Sequence, residues 1–481
     1  MQPYRFSTPS GSIDVTRTEK SLTSYGGFVA FASFLKRSGI IEKLVETCPL
    51  HCTSNNATSV RDIVLSFMLT CINEGSRFRH VRYLQNDETI KKVFNFDRRA
   101  CGEDSFRRFM ELIDSDQGRK WVDGAMEMLF SALPPMFIVD WDSTVTTRYG
   151  DQDGVEVGYN PMKPGRGSHH PLVCSVAGLR LCLTMEHRSG NVTSSDGMVS
   201  SMKDLLSRLP KDRRPYIARA DIGFCANNIL KDFESSAEMP YYVFKLKKTS
   251  RVMEAINSVS EEESKGAKNF GAMQITEKMI QLTTWEYTRR VILGRRLISR
   301  KTPEESGTLF GVCSNEYAAF VTDLTVDQFE PWQIVEMYQG RADCENIFDE
   351  LKNQWGLGGF CSQMSNVTEL AARFTLLSYN IWSLYVRFFS TKKHKEAKTS
   401  RREVLMFPAQ LTESGREKTL QIAVADQFWD LLKDGYERIL KWLEATAPQL
   451  ALYADFSSWN VLAKRYLPDV KHQKLIGYCE I

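Results

Sequence analysis

Apolar residues return at three- and four-residue steps over Phe28 to Val45 and Val60 to Ile72, and again from Ser105 to Ile113, so the first 130 residues are predicted to form short amphipathic helices. Asp104-Ser-Phe-Arg-Arg-Phe joins an N-cap residue to Arg107 and Arg108. That layout suits a helix facing DNA, and equally a support helix with two solvated arginines. After Pro134-Pro135 the pattern changes: Met136-Phe-Ile-Val-Asp-Trp-Asp142 is a compact apolar run ending in acids, as expected of a central strand with functional groups at its carboxyl end. Leu172 to Val176 and Leu179 to Met185 read as adjoining strands around Ala177-Gly178, Met198 to Leu209 as a helix, and Pro215 to Asp221 as a second strand ending in an acid. A helix from Phe224 to Phe233 and a strand from Tyr241 to Leu246 complete an α/β alternation.

Residues 247–325 differ again. Gln281 to Thr288, Arg290-Val-Ile-Leu293, Leu309-Phe-Gly-Val312 and Tyr317 to Val321 are rich in β-branched and aromatic residues, predicting a β-rich insertion. Helix returns at Trp332. The apolar stretch Leu370 to Phe389 contains Arg373, Asn380 and Arg387, which favours a buried helix over a membrane span. The predicted organisation is 1–130 helical, 131–246 the first part of an α/β core, 247–325 the insertion, 326–390 the closing core helices, and 391–481 a basic connection with a helical end.

Composition narrows the class without choosing a partner. The 481 residues are 42% apolar and 25% charged, a globular mixture large enough for two to four folded units. Lys and Arg number 62 against 59 Asp and Glu, so nucleic-acid binding would rest on local basic surfaces rather than on net charge. Eleven cysteines without dense spacing point to a reducing cytoplasm. Cys48-Pro-Leu-His51-Cys52 is the one compact cysteine cluster, and it lacks a second ligand pair for a metal. Met1-Gln-Pro-Tyr-Arg-Phe is no apolar signal segment.

The candidate chemistry lies in three acids. Asp142 and Asp221 end predicted core strands, and Glu345 follows the inserted region. Oxygen ligands of this kind suit Mg²⁺, and two such ions can activate an attacking hydroxyl and stabilise a departing 3′ oxygen. Each acid also has an ordinary structural reading. Asp142 could cap the turn before Thr144, with Asp140 a rival ligand; Asp221 could cap the next helix; Glu345 could pair with Arg341, four residues before it, and has Asp343, Asp349 and Glu350 for neighbours. Tyr338, Arg341, Glu345 and Lys352 are spaced by three, four and seven residues, close to the helical period, and predict one mixed-charge helical face. Arg341 suits bidentate phosphate contact, Lys352 a point-charge contact, and Tyr338 hydrogen bonding or stacking.

These motifs together resemble bacterial insertion-sequence transposases of the DDE superfamily, in the group with a β-rich insertion in an RNase H-like core. The resemblance rests on Asp142-Ser-Thr144, on Arg219-Ala-Asp221-Ile-Gly-Phe224, and on the tyrosine–arginine–glutamate–lysine signature met by Tyr338, Arg341, Glu345 and Lys352. Gly158-Tyr-Asn-Pro and Ser168-His-His-Pro171 resemble one branch of that group, and the likeness spans roughly residues 20 to 440. It implies an α/β fold whose RNase H-like catalytic core is interrupted by the insertion and flanked by helical N- and C-terminal regions. It also implies cut-and-paste transposition, possible hairpin element ends, and two Mg²⁺ held by Asp142, Asp221 and Glu345, with Mn²⁺ able to substitute. The implied partners are double-stranded element ends with terminal inverted repeats and target DNA, bound by a homodimer in a synaptic complex, at the nucleoid and away from membranes. Further DNA contacts are expected from Lys163, Arg166, His169 and His170 on an exposed Gly/Pro loop, and from Arg289 and Arg290, with Arg295 and Arg296, as a basic strip. Trp285 or Trp355 would stack on an unpaired base. The rival readings are a metal-dependent DNA nuclease and a catalytically inactive, domesticated DNA-binding protein.

Overall fold

A computed structural model of the chain describes residues 4–51, 54, 56–259, 273–301, 312–390 and 394–445. Cys52, Lys392, Lys393, and everything from 446 on, including Cys479 and the end of the expected helical tail, lie outside the described residues. The chain opens with a hairpin of β1 (Tyr4–Thr8) and β2 (Gly11–Val15), followed by the short β3 (Leu22–Thr23). Helices Phe28–Ser38 and Ile40–Glu46 replace the single expected one, because Gly39 takes a left-handed conformation (φ 70°) between them. Helix Val60–Ile72 starts where expected, with the Ser59 hydroxyl accepting from the Asp62 amide at 3.1 Å.

The core strands follow: β4 (Met136–Ser143), β5 (Thr146–Thr147), β6 (Glu156–Val157), β7 (Gly167–His169), β8 (Leu172–Val176), β9 (Leu181–Glu186), β10 (Arg214–Ala220) and β11 (Tyr241–Lys245). Then come β12 (Met273–Ile280), β13 (Arg289–Lys301), β14 (Val312–Thr322), and late in the chain β15 (Ala409–Ser414) and β16 (Glu417–Ile422). Eight of them form one sheet in the order β12-β13-β14-β11-β10-β4-β8-β9. β4, β10 and β11 run parallel, reached through helices Met198–Arg208 and Asn227–Ser235, and the remaining pairs are antiparallel. The β-rich segment therefore continues the central sheet rather than standing apart from it. β14 pairs along β11 (Val243↔Thr322), covering an edge that would otherwise leave backbone groups unpaired.

Helix Ser365–Phe389 runs through the interior, starting earlier than the expected Leu370. Two of its buried polar side chains are paired, Arg373 with Asp123 (3.1 Å) and Glu369 (2.8 Å), and Asn380 with the Cys182 backbone (2.9 and 2.7 Å). No helix among the described residues is long and apolar enough to cross a membrane. Helix Asp426–Glu444 lies against this helix at Gly435, where any Cβ would fall 2.0 Å from the Phe389 ring. The C-terminal region also contains a strand pair that periodicity missed: β15 and β16 join β3 in a separate sheet that ties Leu22–Thr23 to residues 409–422.

Candidate active site

β4 and β10 lie side by side and parallel, with Ala220 opposite Trp141, so Asp142 and Asp221 follow at the same edge of the sheet. Carboxyl ends of parallel strands are where such sheets place their ligands. Asp142 Oδ1 accepts from the Ser143 amide at 2.8 Å, and Oδ2 meets Arg341 Nη2 at 2.9 Å. The Thr144 amide goes instead to the Pro171 carbonyl, so Asp142 does not cap that turn. Asp221 makes no side-chain cap on the 3-10 turn after it. Its Oδ1 is buried without a hydrogen-bond partner, with Lys245 Nζ at 3.9 Å. Burial pushes the Asp142 carboxyl above the usual range; Arg341 pulls it back down and the nearby Asp221 charge pushes it up again. The two carboxylates are thus electrostatically coupled.

The expected single helix over 338–352 is broken. Helix Pro331–Gln339 ends at Gly340, and helix Ala342–Gln354 begins after Arg341, across i→i+3 bonds from Arg341 N to Tyr338 O and from Cys344 N to Arg341 O (both 2.9 Å). A side chain at position 340 would press on Arg219 Nη1, at 3.2 Å from the Cβ. The break sends Tyr338 and Arg341 inward while Glu345 and Lys352 remain exposed. Tyr338 packs on Phe320 (4.6 Å between centroids), its hydroxyl donates to the Ala220 carbonyl at 3.4 Å, and burial pushes its pKa up. Partial desolvation by its surroundings holds the Lys352 ammonium below its usual value, against the pull of Asp142 and Asp349. Asp221, Tyr338, Arg341 and Glu345 line a cleft of about 420 Å³ together with Lys245 and Lys248. Those two lysines were missed from sequence; the signal was the run Lys245-Leu-Lys-Lys248 directly after a core strand.

Two of the rival acids, Asp140 and Glu350, are committed elsewhere. Asp140 is buried and holds Arg219 bidentately (2.6 and 2.7 Å), and Arg219 also donates to the Met337 carbonyl. Asp349 accepts from Asn353 at 2.7 Å, and the Asp343 side chain lies outside the described residues. Glu350 is buried among His394 (3.2 Å), the Ala397 amide (2.9 Å), Trp355 Nε1 (3.4 Å) and Arg180 (3.7 Å). Burial raises the Glu350 carboxyl, but the bonds from His394, Ala397 and Trp355 outweigh it and leave the group below its ordinary 4.5. A folded-state value below the unfolded one contributes stability above the unfolded value and loses it as pH falls through the folded one. Glu350→Gln is therefore expected to flatten the acid limb of a urea-midpoint profile below about pH 4.5. An unchanged acid limb would remove Glu350 from that role.

Other expected DNA contacts divide sharply. Lys163 and Arg166 are exposed, as the loop reading required. His169 and His170 are buried: His169 lies between Arg148 Nε and the Asp153 carbonyl (3.1 Å each), and His170 Nδ1 faces the Val192 carbonyl at 3.3 Å. Arg289 and Arg290 form no open strip, because Glu234 (2.6 Å) and Glu277 (2.6 Å) neutralise them in the interior. Arg295 donates to Gln274, and Arg296 pairs with Glu316. Trp285 is buried beneath Arg289 (5.0 Å) and Trp355 beneath Arg401 (4.3 Å), so neither indole presents a face to a base.

Asp142 and Asp221 carry hard oxygen donors of the kind divalent cations take, and Asp221 Oδ1 accepts no hydrogen bond. Among the described residues no three His, Cys, Asp or Glu side chains stand at metal-binding spacing; Glu345 lines the same cleft without closing on the pair.

The family model of the group 1 transposase DDE domain matches residues 8–443. The chain belongs to that family. It is a DDE-type transposase, and membership implies dependence on divalent metal ions. Among solved structures, the piggyBac transposase synaptic complex with hairpin DNA, determined by cryo-EM, is similar at 14% identity over 93% of this chain and 86% of that one, with a TM-score of 0.42. No protein of curated function matches the transposase in sequence.

Proposed function

We propose that the transposase excises and integrates a bacterial insertion sequence by cut-and-paste phosphoryl transfer, with Asp142, Asp221 and Glu345 as the metal-binding acids. The observation that carries this reading is the placement of Asp142 and Asp221 at one edge of adjacent parallel strands, with an unpartnered Asp221 oxygen at a cleft that Glu345 also lines. β9-β8-β4-β10-β11, an antiparallel meander continued by two parallel strands, would be the RNase H-like core, and β14-β13-β12 the inserted part. Two Mg²⁺, or Mn²⁺, would supply activation of the attacking oxygen and stabilisation of the departing one. Arg341 orients Asp142, and Tyr338 walls the cleft. Lys245 and Lys248 at the cleft, and Lys352 within the field of Asp142, add the positive charge that would draw a phosphate backbone toward the acids. The substrates would be element ends with terminal inverted repeats and target DNA, gathered in a homodimeric synaptic complex, with hairpin ends as an intermediate.

Incubation with labelled element-end DNA, a target plasmid and Mg²⁺ tests the reading. The expected products are metal-dependent end cleavage followed by joined DNA, both stopped by chelation. Cleavage without joining identifies a nuclease. Sequence-selective binding without metal-dependent cleavage identifies a DNA-binding protein.

A further inference from the structure

Between Asp142 and β8 the chain builds a small module that phosphoryl transfer leaves unused. β5, β7 and β6 pair in that order (Thr146↔His169, Glu156↔Ser168), and Thr146 follows Asp142 by four residues. The frame of this module is locked. The Arg148 guanidinium donates to His169 Nδ1 and, at 2.7 Å, to the Gly358 carbonyl, four residues beyond the helix that bears Glu345. Gly158 sits so tightly that a Cβ would fall 1.9 Å from the Gly190 carbonyl oxygen. Asn160 is buried, donating to Thr147 Oγ1 (3.0 Å) and accepting from the Lys163 amide (3.1 Å). In Gly158-Tyr-Asn160 the outer residues are therefore structural, and the one between them is presented to solvent.

On that rigid frame Tyr149, Tyr159 and Met162 are 74%, 70% and 84% exposed. Lys163 and Arg166 stand beside them, with the Arg166 guanidinium 5.7 Å from the Tyr149 ring centre. A single exposed apolar residue is ordinary; three large ones on an anchored module next to a catalytic acid call for a partner. Phosphates would use the two cations and leave the rings idle. Bases inside an intact duplex keep their faces stacked on one another. A strand with unpaired bases satisfies both groups, since rings and thioether receive base faces while the cations hold the adjoining phosphates. Because the frame is already ordered, little conformational freedom is lost on binding.

We propose that Tyr149, Tyr159 and Met162 form a stacking platform for bases left unpaired beside the processed phosphate, with Lys163 and Arg166 gripping the flanking backbone. The proposal rests on the DNA-processing role above. It moves the base-stacking role from Trp285 and Trp355, which are buried, to residues the structure leaves open.

The test measures binding of the full-length protein to two labelled probes of one element-end sequence, one fully paired and one whose terminal base pairs are replaced by unpaired bases. Replacing both tyrosines (Y149S with Y159S) should weaken binding of the unpaired probe by about tenfold or more and leave the paired probe within roughly twofold. Phenylalanine at both positions should restore binding, because the ring face and not the hydroxyl is used. Lys163→Ala with Arg166→Ala should weaken both probes and lower the salt dependence. Equal loss on both probes, or no loss on either, overturns the platform while the DNA-processing role stands. Wild-type protein that binds neither probe overturns that role and the platform with it.

Discussion

Asp221→Asn is expected to lower end cleavage on the order of a thousandfold or more, with DNA binding and the unfolding midpoint near wild type. The size of the effect follows from what the carboxylate does at the sheet edge. Its Oδ1 accepts no hydrogen bond and has only the Lys245 ammonium at 3.9 Å, so its charge would be available to a metal cation, and an amide would offer that cation a weaker ligand without the charge. Stability hardly depends on it. The side chain is 47% exposed, and its one cation neighbour, Lys245, stands at 3.9 Å, a surface pair contributing at most about 1 kcal/mol. Glu345→Gln should behave alike, since Glu345 is exposed. Asp142→Asn should also stop cleavage, but with a stability cost, because it leaves the buried Arg341 guanidinium without a charged partner. Labelled-end cleavage at saturating Mg²⁺, read beside a urea melt, checks all three. Asp221→Asn retaining cleavage within tenfold of wild type would remove that residue from the metal set.

The largest stability effect is expected two residues before Asp142. Asp140→Asn and Arg219→Met should each lower the unfolding free energy by about 3–5 kcal/mol, because each leaves one buried charge without its counter-charge. Arg219 is 0% exposed and Asp140 1%, and their two short bonds are the compensation for taking both out of water. Replacing both residues with apolar ones of similar volume should recover much of the loss, since neither charge then stands alone. Chemical denaturation of the two single variants and the double variant checks the cycle. If the double variant is as unstable as the two single losses added together, the pair is not acting as a unit.

The contrast between these neighbouring acids marks what could be read from sequence. Asp140 and Asp142 are two residues apart on one strand, so period-two alternation puts both on the same face and cannot rank them. The register of β10 ranks them: Arg219 stands opposite Asp140, inside the sheet, whereas Asp142 lies one step further out, where Arg341 arrives from a helix break. Glu350 is a similar case. It is the same residue type as Glu345, five residues away, but residues near 394–397 close over it.

The sequence by itself determined the local elements and the edge where the chemistry would sit. Apolar runs ending in acids made β4 and β10, and three- and four-residue periodicity made the helices, because both depend on side chains within one or two turns of each other. The break at Gly340 could not be read that way, since the side chain that crowds this position, Arg219, lies more than a hundred residues earlier. The same holds for every surface contact that proved internal. Arg289 meets Glu234, Arg290 meets Glu277, His169 meets Arg148, and Trp355 meets Arg401. A cation or an aromatic ring reads alike in sequence whether it faces solvent or a buried partner. Only tertiary structure supplies the partner, because desolvating such a group is tolerable solely where a counter-charge or hydrogen bond is already in place.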